Sequence, residues 1–318
     1  MPCLGSRLIC FVALLGGSSV TVAACGGSRD PTLAGPYAIA SLDAAATSTI
    51  NGATLAVHVA YPTHGPTRGP YPVVLFAHGF LIPPSEYVSY LERAASFGYV
   101  ALSVDYPTLD DPNFVANTTD LLTGLDWLAA QSAPPLGGLA DLARVGSAGH
   151  SLGGKLAILA AARDSRIKAV ITFDAVDGAM FCSTPANCPD AHAALPLPIP
   201  TAFLGETLDN SGGVFACAPA AYNYAFIYGA AASPSLAITV LGAGHTSFVD
   251  SLAACGSVCE LCQSPDVPQS QTLNIAHAYL VAFFERYLRG NKDYDSDLVG
   301  DGARTRFVST HQIQLQSK

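Results

Sequence analysis

The sequence predicts an α/β fold in which a mostly parallel sheet carries helices on both faces. Short apolar runs typical of buried strands alternate along the chain with segments whose apolar residues recur at helical spacing. This repeated order of strand, helix and strand is typical of a parallel sheet covered by helices. The chain has 318 residues, of which 50% are hydrophobic, enough to bury one large core. We therefore predict one domain, at residues 35–290.

The first elements depart from this alternation. Residues 35–61 contain two strand patterns separated by Asn51-Gly52, a dipeptide typical of tight turns, and they predict an antiparallel pair. After a Pro- and Gly-rich turn, the alternation begins with the buried strand YPVVLFAHG. The helix SEYVSYLERAASFG, with Gly98 as its stop, and the strand YVALSVDYP follow.

The alternation continues to the end of the predicted domain. A helix near residues 116–130 is followed by the strand ARVGSAG, a helix from about 153 to 162 and the strand KAVITFD. The strands IPTAFLG and SLAITVLG flank a helical segment, APAAYNYAFIY, and TLNIAHAYLVAFFERYLRG forms a long last helix. Residues 180–200 show no clear period and are predicted to form a cap or loop. Residues 291–318 are polar and are predicted to be a weakly packed tail.

The first residues have the pattern of an export signal. A short apolar stretch after Arg7 is too brief to span a bilayer and is followed by small residues. The quartet VAAC at residues 22–25 resembles the bacterial lipobox, in which cleavage before the cysteine leaves it as the lipid-bearing first residue. We therefore predict a lipoprotein signal peptide at 1–24, lipidation of Cys25 and a linker at 25–34. A plain secretory signal is the alternative.

The charge pattern excludes two classes of partner. Charged residues make up 12% of the chain, the formal net charge is −9, and the basic residues do not cluster. This argues against nucleic acid and against electrostatic capture by an anionic membrane. Membrane contact is therefore expected only through the N-terminal lipid anchor. Gly26, rather than Asp, follows Cys25 and favours the outer membrane of a bacterial cell envelope; otherwise the protein is secreted.

Cysteine usage fits an oxidising compartment. Without the signal and anchor cysteines six remain, an even number that predicts three disulfides: Cys182, Cys188, Cys217, Cys255, Cys259 and Cys262. Closeness in the chain favours the pair Cys182–Cys188 and leaves Cys217 to join one of the last three. No histidine sits at ligand spacing in CGSVCELC, so no metal site is predicted.

Residues 149–153, GHSLG, match the pattern G-x-S-x-G between a predicted strand and a predicted helix. The glycines let the backbone pass close to neighbouring elements, so that Ser151 projects its hydroxyl above the carboxyl edge of the sheet. The following helix directs its N-terminal N–H groups toward developing negative charge. The pattern predicts Ser151 as a nucleophile rather than as part of an ordinary turn.

A serine nucleophile needs a base, and the chain has eight histidines. His245 lies in VLGAGHTSF, a glycine-flanked loop just after an apolar strand, where the base belongs in the chain order Ser, acid, His. His150 and His277 are interpreted as structural. His192, in the irregular segment, is a weaker rival.

The acid has two candidates. Asp174 ends the strand KAVITFD directly after the nucleophile helix, and Asp209 ends PTAFLGETLD one strand later. Either loop can present a carboxylate to the imidazole, and composition does not separate them.

Two N–H donors are expected for an oxyanion. The residue after the nucleophile, Leu152, supplies one, and the loop HGF after the first central strand supplies the other through the N–H of Phe80. This chemistry needs no cofactor.

With these residues the chain resembles α/β-hydrolases of the chlorophyllase and platelet-activating-factor acetylhydrolase type, with kinship to bacterial polyester hydrolases. GHSLGGKLAILAA is similar to the GHSRGGK segment of chlorophyllases, FDAVDG to their DPVAG-like segment, and GAGHTSF to their histidine loop. The resemblance implies an α/β-hydrolase fold with Asp174 as the acid. Two departures exist: Leu152 replaces the arginine usual in chlorophyllases, and polyester hydrolases usually place methionine there and the acid where Asp209 lies.

The expected function is that of a secreted serine esterase that hydrolyses carboxylic esters through an acyl-enzyme. Its substrate is a small-molecule, lipid or polymer ester. One alternative is a cutinase-like polyester or lipid hydrolase that uses Asp209. Another is a non-catalytic hydrolase-fold lipoprotein that binds a ligand.

Overall fold

A single sheet organises the described part of the chain. The computed structural model describes residues 29–108, 112–178, 182–210, 216–253 and 256–318. Within these ranges nine strands form one sheet in the order β1-β2-β4-β3-β5-β6-β7-β8-β9. The strands are β1 Ala38–Thr47, β2 Thr54–His64, β3 Tyr71–Ala77, β4 Val100–Val104, β5 Ala140–His150, β6 Ile167–Phe173, β7 Thr201–Glu206, β8 Ser235–Val240 and β9 Ile313–Ser317.

Helices connect most of the strands. The longer ones are α1 Val88–Ser96, α2 Phe114–Ala129, α3 Leu152–Arg163, α4 Tyr224–Ala230 and α5 Gln269–Leu288. The short helices α6 Asp295–Leu298 and α7 Asp301–Ala303 follow. Short helical segments of one or two turns lie at Pro84–Tyr87, Pro185–Asn187, His192–Ala194, His245–Phe248, Gly256–Leu261, Lys292–Tyr294 and Arg304–Val308.

The antiparallel start is confirmed. β1 pairs antiparallel with β2 along its whole length, and Gly52 turns between them with φ of 75°. β2 then pairs antiparallel with β4, whereas the pairs among β3 to β8 are all parallel. The alternation predicted from the sequence thus produces the parallel centre of the sheet.

The core lies on both faces of this sheet. In β3 every residue is buried; Val74 and Phe76 pack on the face covered by α1 and α5. Val73 and Leu75 pack on the opposite face, under α2, α3 and α4. Because side chains alternate along a strand, a strand buried on both faces is apolar throughout.

Local signals set the helix ends. α1 buries Leu91, Ala94 and Ala95 at helical spacing, and Gly98 follows it with φ of 87°, a conformation that glycine adopts without strain. α2 begins after Asn113, whose side chain accepts a hydrogen bond from the Ala116 N–H at 2.9 Å.

The C-terminal segment corrects one expectation. Residues 291–318 were predicted to pack weakly, but Ile313–Ser317 pairs antiparallel with β8 as the last strand of the sheet. Tyr294, Leu298 and Phe307 are buried in the same core as α5. A few apolar residues spaced among polar ones are sufficient here, because an edge strand buries only part of its surface.

Two disulfides are defined in the described residues. Cys182 is bonded to Cys188, as their closeness in the chain predicts. Cys217 is bonded to Cys262, a partner that the sequence left open among three. Cys259 is also disulfide-bonded, and Cys255 lies outside the described residues.

The predicted signal peptide and Cys25 lie outside the described residues. Among the helices of the described part, none combines the length and the apolar character needed to cross a membrane.

The candidate catalytic residues meet at one edge of the sheet. Ser151 directly follows β5, Asp174 directly follows β6, and His245 lies in the loop after β8. These are neighbouring or nearly neighbouring parallel strands, whose carboxyl ends lie at the same edge. This arrangement of strands and helices is the α/β-hydrolase fold that the sequence predicts.

Candidate active site

Ser151 occupies a strained turn between β5 and α3. Its backbone has φ of 55° and ψ of −123°, outside the regions that a non-glycine residue ordinarily adopts. Its N–H donates to the Phe173 carbonyl at 3.0 Å, and its carbonyl accepts from the Gly154 N–H at 3.0 Å. The neighbouring strand and the first turn of α3 therefore hold the strained residue in place.

The glycines on either side of Ser151 are required by close packing. A Cβ atom at Gly153 would lie 2.1 Å from the Ala77 carbonyl oxygen. A Cβ atom at Gly149 would lie 2.3 Å from the Gly153 carbonyl oxygen. A side chain at either position would push the turn away from β3. Both glycines are therefore needed to keep Ser151 in its position.

Three side chains form a continuous hydrogen-bonded chain. His245 Nε2 lies 2.9 Å from Ser151 Oγ, and His245 Nδ1 lies 2.6 Å from Asp174 Oδ2. A neutral imidazole that donates from Nδ1 to the carboxylate presents Nε2 as an acceptor to the serine hydroxyl. Asp174 is fully buried, and this burial raises its pKa, while the hydrogen bond and charge of His245 oppose the rise.

Asp209 contacts the same histidine in a different way. Its Oδ2 accepts the backbone N–H of His245 at 2.8 Å, and its Oδ1 accepts the N–H of Gln263 at 2.9 Å. Among the hydrogen bonds of the described residues, the ring of His245 bonds to Asp174 and the backbone bonds to Asp209. Asp174 therefore orients the ring of His245, and Asp209 holds the backbone of its loop.

His150 has a role that the sequence did not indicate. Its Nε2 donates to the His245 carbonyl at 2.9 Å, and its Nδ1 accepts from the Tyr87 hydroxyl at 2.8 Å. That hydroxyl in turn accepts the Gly79 N–H at 3.2 Å. Burial holds the pKa of His150 well below its usual range, so the ring is neutral. This network joins the loop before Phe80 to the loop of His245.

The two predicted amide donors lie beside the serine. Phe80 and Leu152 line the same cleft as Ser151. Within the described residues, no hydrogen bond occupies the N–H of either one. The next residue, Leu81, has φ of 59° and donates its N–H to Thr108 Oγ1 at 3.1 Å, which fixes the loop. Both N–H groups therefore remain the candidates for the oxyanion donors predicted from the sequence.

The cleft has a volume of about 600 Å³, within the usual range for small-molecule sites. Its apolar wall is formed by Phe80, Pro112, Phe114, Leu152, Val176 and Tyr222. Two carboxylates, Asp177 and Asp190, also line it. The cleft therefore suits an apolar group of moderate size next to Ser151.

A buried ion pair supports one wall of this cleft. Lys155, on α3, is fully buried, and its Nζ lies 3.1 Å from Asp177 Oδ1. Asp177 also accepts the N–H groups of Ala191 and His192 at 2.7 and 2.8 Å. The pair joins the segment after β6 to the irregular segment predicted as a cap or loop, so this segment helps to enclose the cleft.

His192 and His277, which the sequence also offered for comparison with His245, contact other groups. His192 stacks on Phe226 with ring centroids 4.4 Å apart. His277 lies in the core with Nε2 2.9 Å from Ser89 Oγ, and burial lowers its pKa to about 3.

A metal could be held only by a weak donor set within the described residues. Asp209, Cys217 and Cys262 place their ligand atoms within 4.8 Å of one another. The two sulfurs are bonded to each other, so neither is a thiolate available to a metal.

Comparison with known proteins finds chlorophyllases and a terephthalate hydrolase among the proteins similar to this chain. Chlorophyllase-2 of Arabidopsis thaliana is 25% identical over 258 residues, which cover 73% of this chain and 77% of that protein. Chlorophyllase-1 of the same plant is 26% identical over 257 residues, 74% of this chain and 77% of that protein. Bis(hydroxyethyl) terephthalate hydrolase of Streptomyces coelicolor is 33% identical over 142 residues, 44% of this chain and 43% of that protein.

The family comparison covers most of the chain. The family model described as chlorophyllase matches residues 33–314, a span that includes Ser151, Asp174 and His245. The resemblance noted in the sequence is thereby confirmed: the chain belongs to the chlorophyllase family.

Proposed function

We propose that this protein is a serine hydrolase of carboxylic esters. The observation that carries the proposal is the hydrogen-bonded chain from Asp174 through His245 to Ser151, which opens on an apolar cleft. The relatives support hydrolysis as the reaction, because two are chlorophyllases and one is a terephthalate-ester hydrolase by name.

The first half of the reaction is acylation of the serine. Ser151 Oγ attacks the ester carbonyl carbon while His245 Nε2 takes the hydroxyl proton. The N–H groups of Phe80 and Leu152 bind the oxyanion, and Asp174 stabilises the imidazolium. Collapse of the intermediate breaks the bond to the alcohol, which leaves with the proton from His245, and the acyl group remains on Ser151.

The second half repeats these steps with water. His245 takes a proton from water, whose oxygen attacks the acyl carbon. The carboxylic acid leaves, and Ser151 recovers its proton from His245. No cofactor enters this cycle.

The walls of the cleft favour a neutral, apolar ester. Apolar side chains surround Ser151; Lys155 balances the charge of Asp177, and the exposed Asp190 leaves one net negative charge at this wall. An anionic substrate would meet the charge of Asp190 and would lose solvation of its own charge among the apolar side chains.

A panel of esters tests this function. We expect hydrolysis of neutral p-nitrophenyl acyl esters and of dimethyl terephthalate, and at least about tenfold lower kcat/KM for the monomethyl terephthalate anion, corresponding to roughly 1.4 kcal/mol of repulsion. Chlorophyll, bis(hydroxyethyl) terephthalate, a phospholipid and a polyester film extend the panel. Preference for the anion would contradict the neutral-ester proposal, and no hydrolysis of any ester would favour the non-catalytic binding alternative.

We also propose that Cys25 carries a lipid that anchors the protein to the bacterial outer membrane. The VAAC quartet supports this proposal. The segment after the linker is held near the end of α1: the N–H groups of Gly35 and Tyr37 donate to Ser96 Oγ and to its carbonyl, both at 3.0 Å. Because α1 runs from the carboxyl end of β3 to the amino end of β4, this attachment lies at the sheet edge opposite Ser151. The anchored enzyme would thus direct its cleft away from the membrane.

Metabolic labelling with palmitate tests the anchor. We expect the expressed protein to incorporate label and to partition with the membrane, and Cys25→Ser to lose both properties. Cys10→Ser is the matched control, because Cys10 belongs to the predicted signal peptide and its loss should leave the label in place. Label that persists in Cys25→Ser would contradict the proposal.

A further inference from the structure

Buried carboxyl groups cluster where β6 and β7 end. These strands are parallel neighbours, with Phe173 opposite Leu204. Asp174 follows β6 and donates its N–H to the Leu204 carbonyl at 2.8 Å, and Glu206 is the last residue of β7. Both side chains are fully buried. Asp174 and Glu206 therefore stand at adjacent strand ends, at the same edge of the sheet.

Each of these carboxyl groups has one oxygen with a partner and one without. Asp174 Oδ2 accepts from His245, and Glu206 Oε2 accepts from the N–H groups of Leu208 and Asp209, the latter at 2.8 Å. Within the described residues, Asp174 Oδ1 and Glu206 Oε1 are buried without a hydrogen-bond partner. Two buried acceptors without donors are costly, but one proton placed between them would satisfy both.

The surroundings favour a proton on Glu206. Burial, with the charges of Asp174 and Asp209, raises the pKa of Glu206 to about 9, although the two backbone N–H groups oppose the rise. The charges of Asp174 and Glu206 also act on the Tyr224 hydroxyl of α4, which lies 2.5 Å from Thr239 Oγ1 and is neutral because burial raises its pKa to about 12. His245 is bonded to the other oxygen of Asp174.

We propose that Glu206 is a positioning residue whose protonated Oε1 donates a hydrogen bond to Oδ1 of Asp174. The inference rests on the proposed function, in which Asp174 orients the imidazole. With Oε2 occupied by two N–H groups as an acceptor, Oε1 is the oxygen that carries the proton. The bond holds the carboxylate of Asp174 in the orientation that places Oδ2 on His245 Nδ1, and it does so without adding a charge.

The pH dependence follows from the direction of the pKa shift. Glu206 is protonated below its raised pKa and ionises as the pH rises through about 9. Ionisation removes the donor and sets a second anion beside Asp174. We therefore expect kcat of the native enzyme to fall in an alkaline limb near this pH.

Two substitutions test the role. In Glu206→Gln, the amide oxygen accepts the two backbone N–H groups and the amide nitrogen donates to Asp174. We expect its kcat to stay within about threefold of native at pH 7.5 and the alkaline limb to disappear. Glu206→Met has similar length but no donor, and we expect its kcat to fall by about 10- to 100-fold, the effect of losing a hydrogen bond to a charged group. Its KM should change little, because Glu206 does not line the cleft.

The measurement is kcat and KM for p-nitrophenyl butyrate from pH 6 to 10.5. Titration with a fluorophosphonate, which reacts with the serine, counts competent sites, so a folding defect in Glu206→Met does not count as lost turnover. A native alkaline limb in Glu206→Gln, or equal kcat per site for the Gln and Met variants at pH 7.5, would overturn the inference. Ester hydrolysis that needs Ser151 would persist in either case, whereas activity that survives Ser151→Ala would end the proposed function itself.

Discussion

Replacing Ser151 by alanine should abolish ester hydrolysis and leave the protein folded. The substitution removes Oγ, the atom that attacks the carbonyl and lies 2.9 Å from His245 Nε2. Loss of a triad nucleophile reduces kcat by about 10⁶-fold, and the remainder comes from the oxyanion donors and binding. The backbone strain at Ser151 is unchanged in alanine, which also has a Cβ atom, so we expect little change in stability.

The measurement is kcat for p-nitrophenyl butyrate, with thermal unfolding as the check on folding. Ser147→Ala is the matched control: Ser147 lies on the same strand, is buried, and its hydroxyl has no hydrogen-bond partner within the described residues. We expect this variant to keep native turnover. A Ser151→Ala enzyme with more than a tenth of native activity would contradict the proposed mechanism.

The comparison of Asp174→Asn with Asp209→Asn should give the second largest difference. In Asp174→Asn the amide can donate to His245 Nδ1 and so favour the tautomer that cannot accept the serine proton. A substitution of this kind reduces kcat by about 10⁴-fold in a serine protease. We expect a similar loss here, because Asp174 is the acid bonded to the ring.

Asp209→Asn should have a much smaller effect. The amide oxygen of asparagine can still accept the His245 N–H, so the loop keeps that bond and loses part of its support through Gln263. We expect a loss of kcat of about tenfold or less, the size of one neutral hydrogen bond. Measurement of both variants with the same ester decides the acid: a larger loss in Asp209→Asn would reassign it, and equal small losses would contradict a triad through either residue.

The structure of the nucleophile turn could be anticipated because its determinants are local. G-x-S-x-G lies between a buried strand and an alanine-rich helix, and each feature is visible within a few residues of Ser151. The loop of His245 was similarly visible, as a glycine-flanked histidine after an apolar strand. Because such patterns depend only on neighbouring residues, the local structure they produce can be predicted without knowledge of tertiary contacts.

The buried supporting groups were not visible in the same way. In the sequence, His150 is a motif residue next to Ser151. In the structure it bonds to the carbonyl of His245, which is far along the chain. In the sequence, Lys155 is a single charged residue in an apolar helix. In the structure it forms an ion pair with Asp177 at one wall of the cleft. A polar residue in an apolar pattern predicts that a buried polar partner exists. The partner belongs to another element, so its identity is known only from the tertiary structure.

The sequence by itself determined the α/β class, the alternation of strands and helices, and the loops that carry Ser151 and His245. These follow from the period of the apolar residues and from glycine positions, which are properties of neighbouring residues. Only the tertiary structure decided that the ring of His245 meets Asp174 while its backbone meets Asp209, and that β9 closes the sheet. The physical reason is that hydrogen bonds between distant segments depend on the order and register of the strands, which local patterns do not specify.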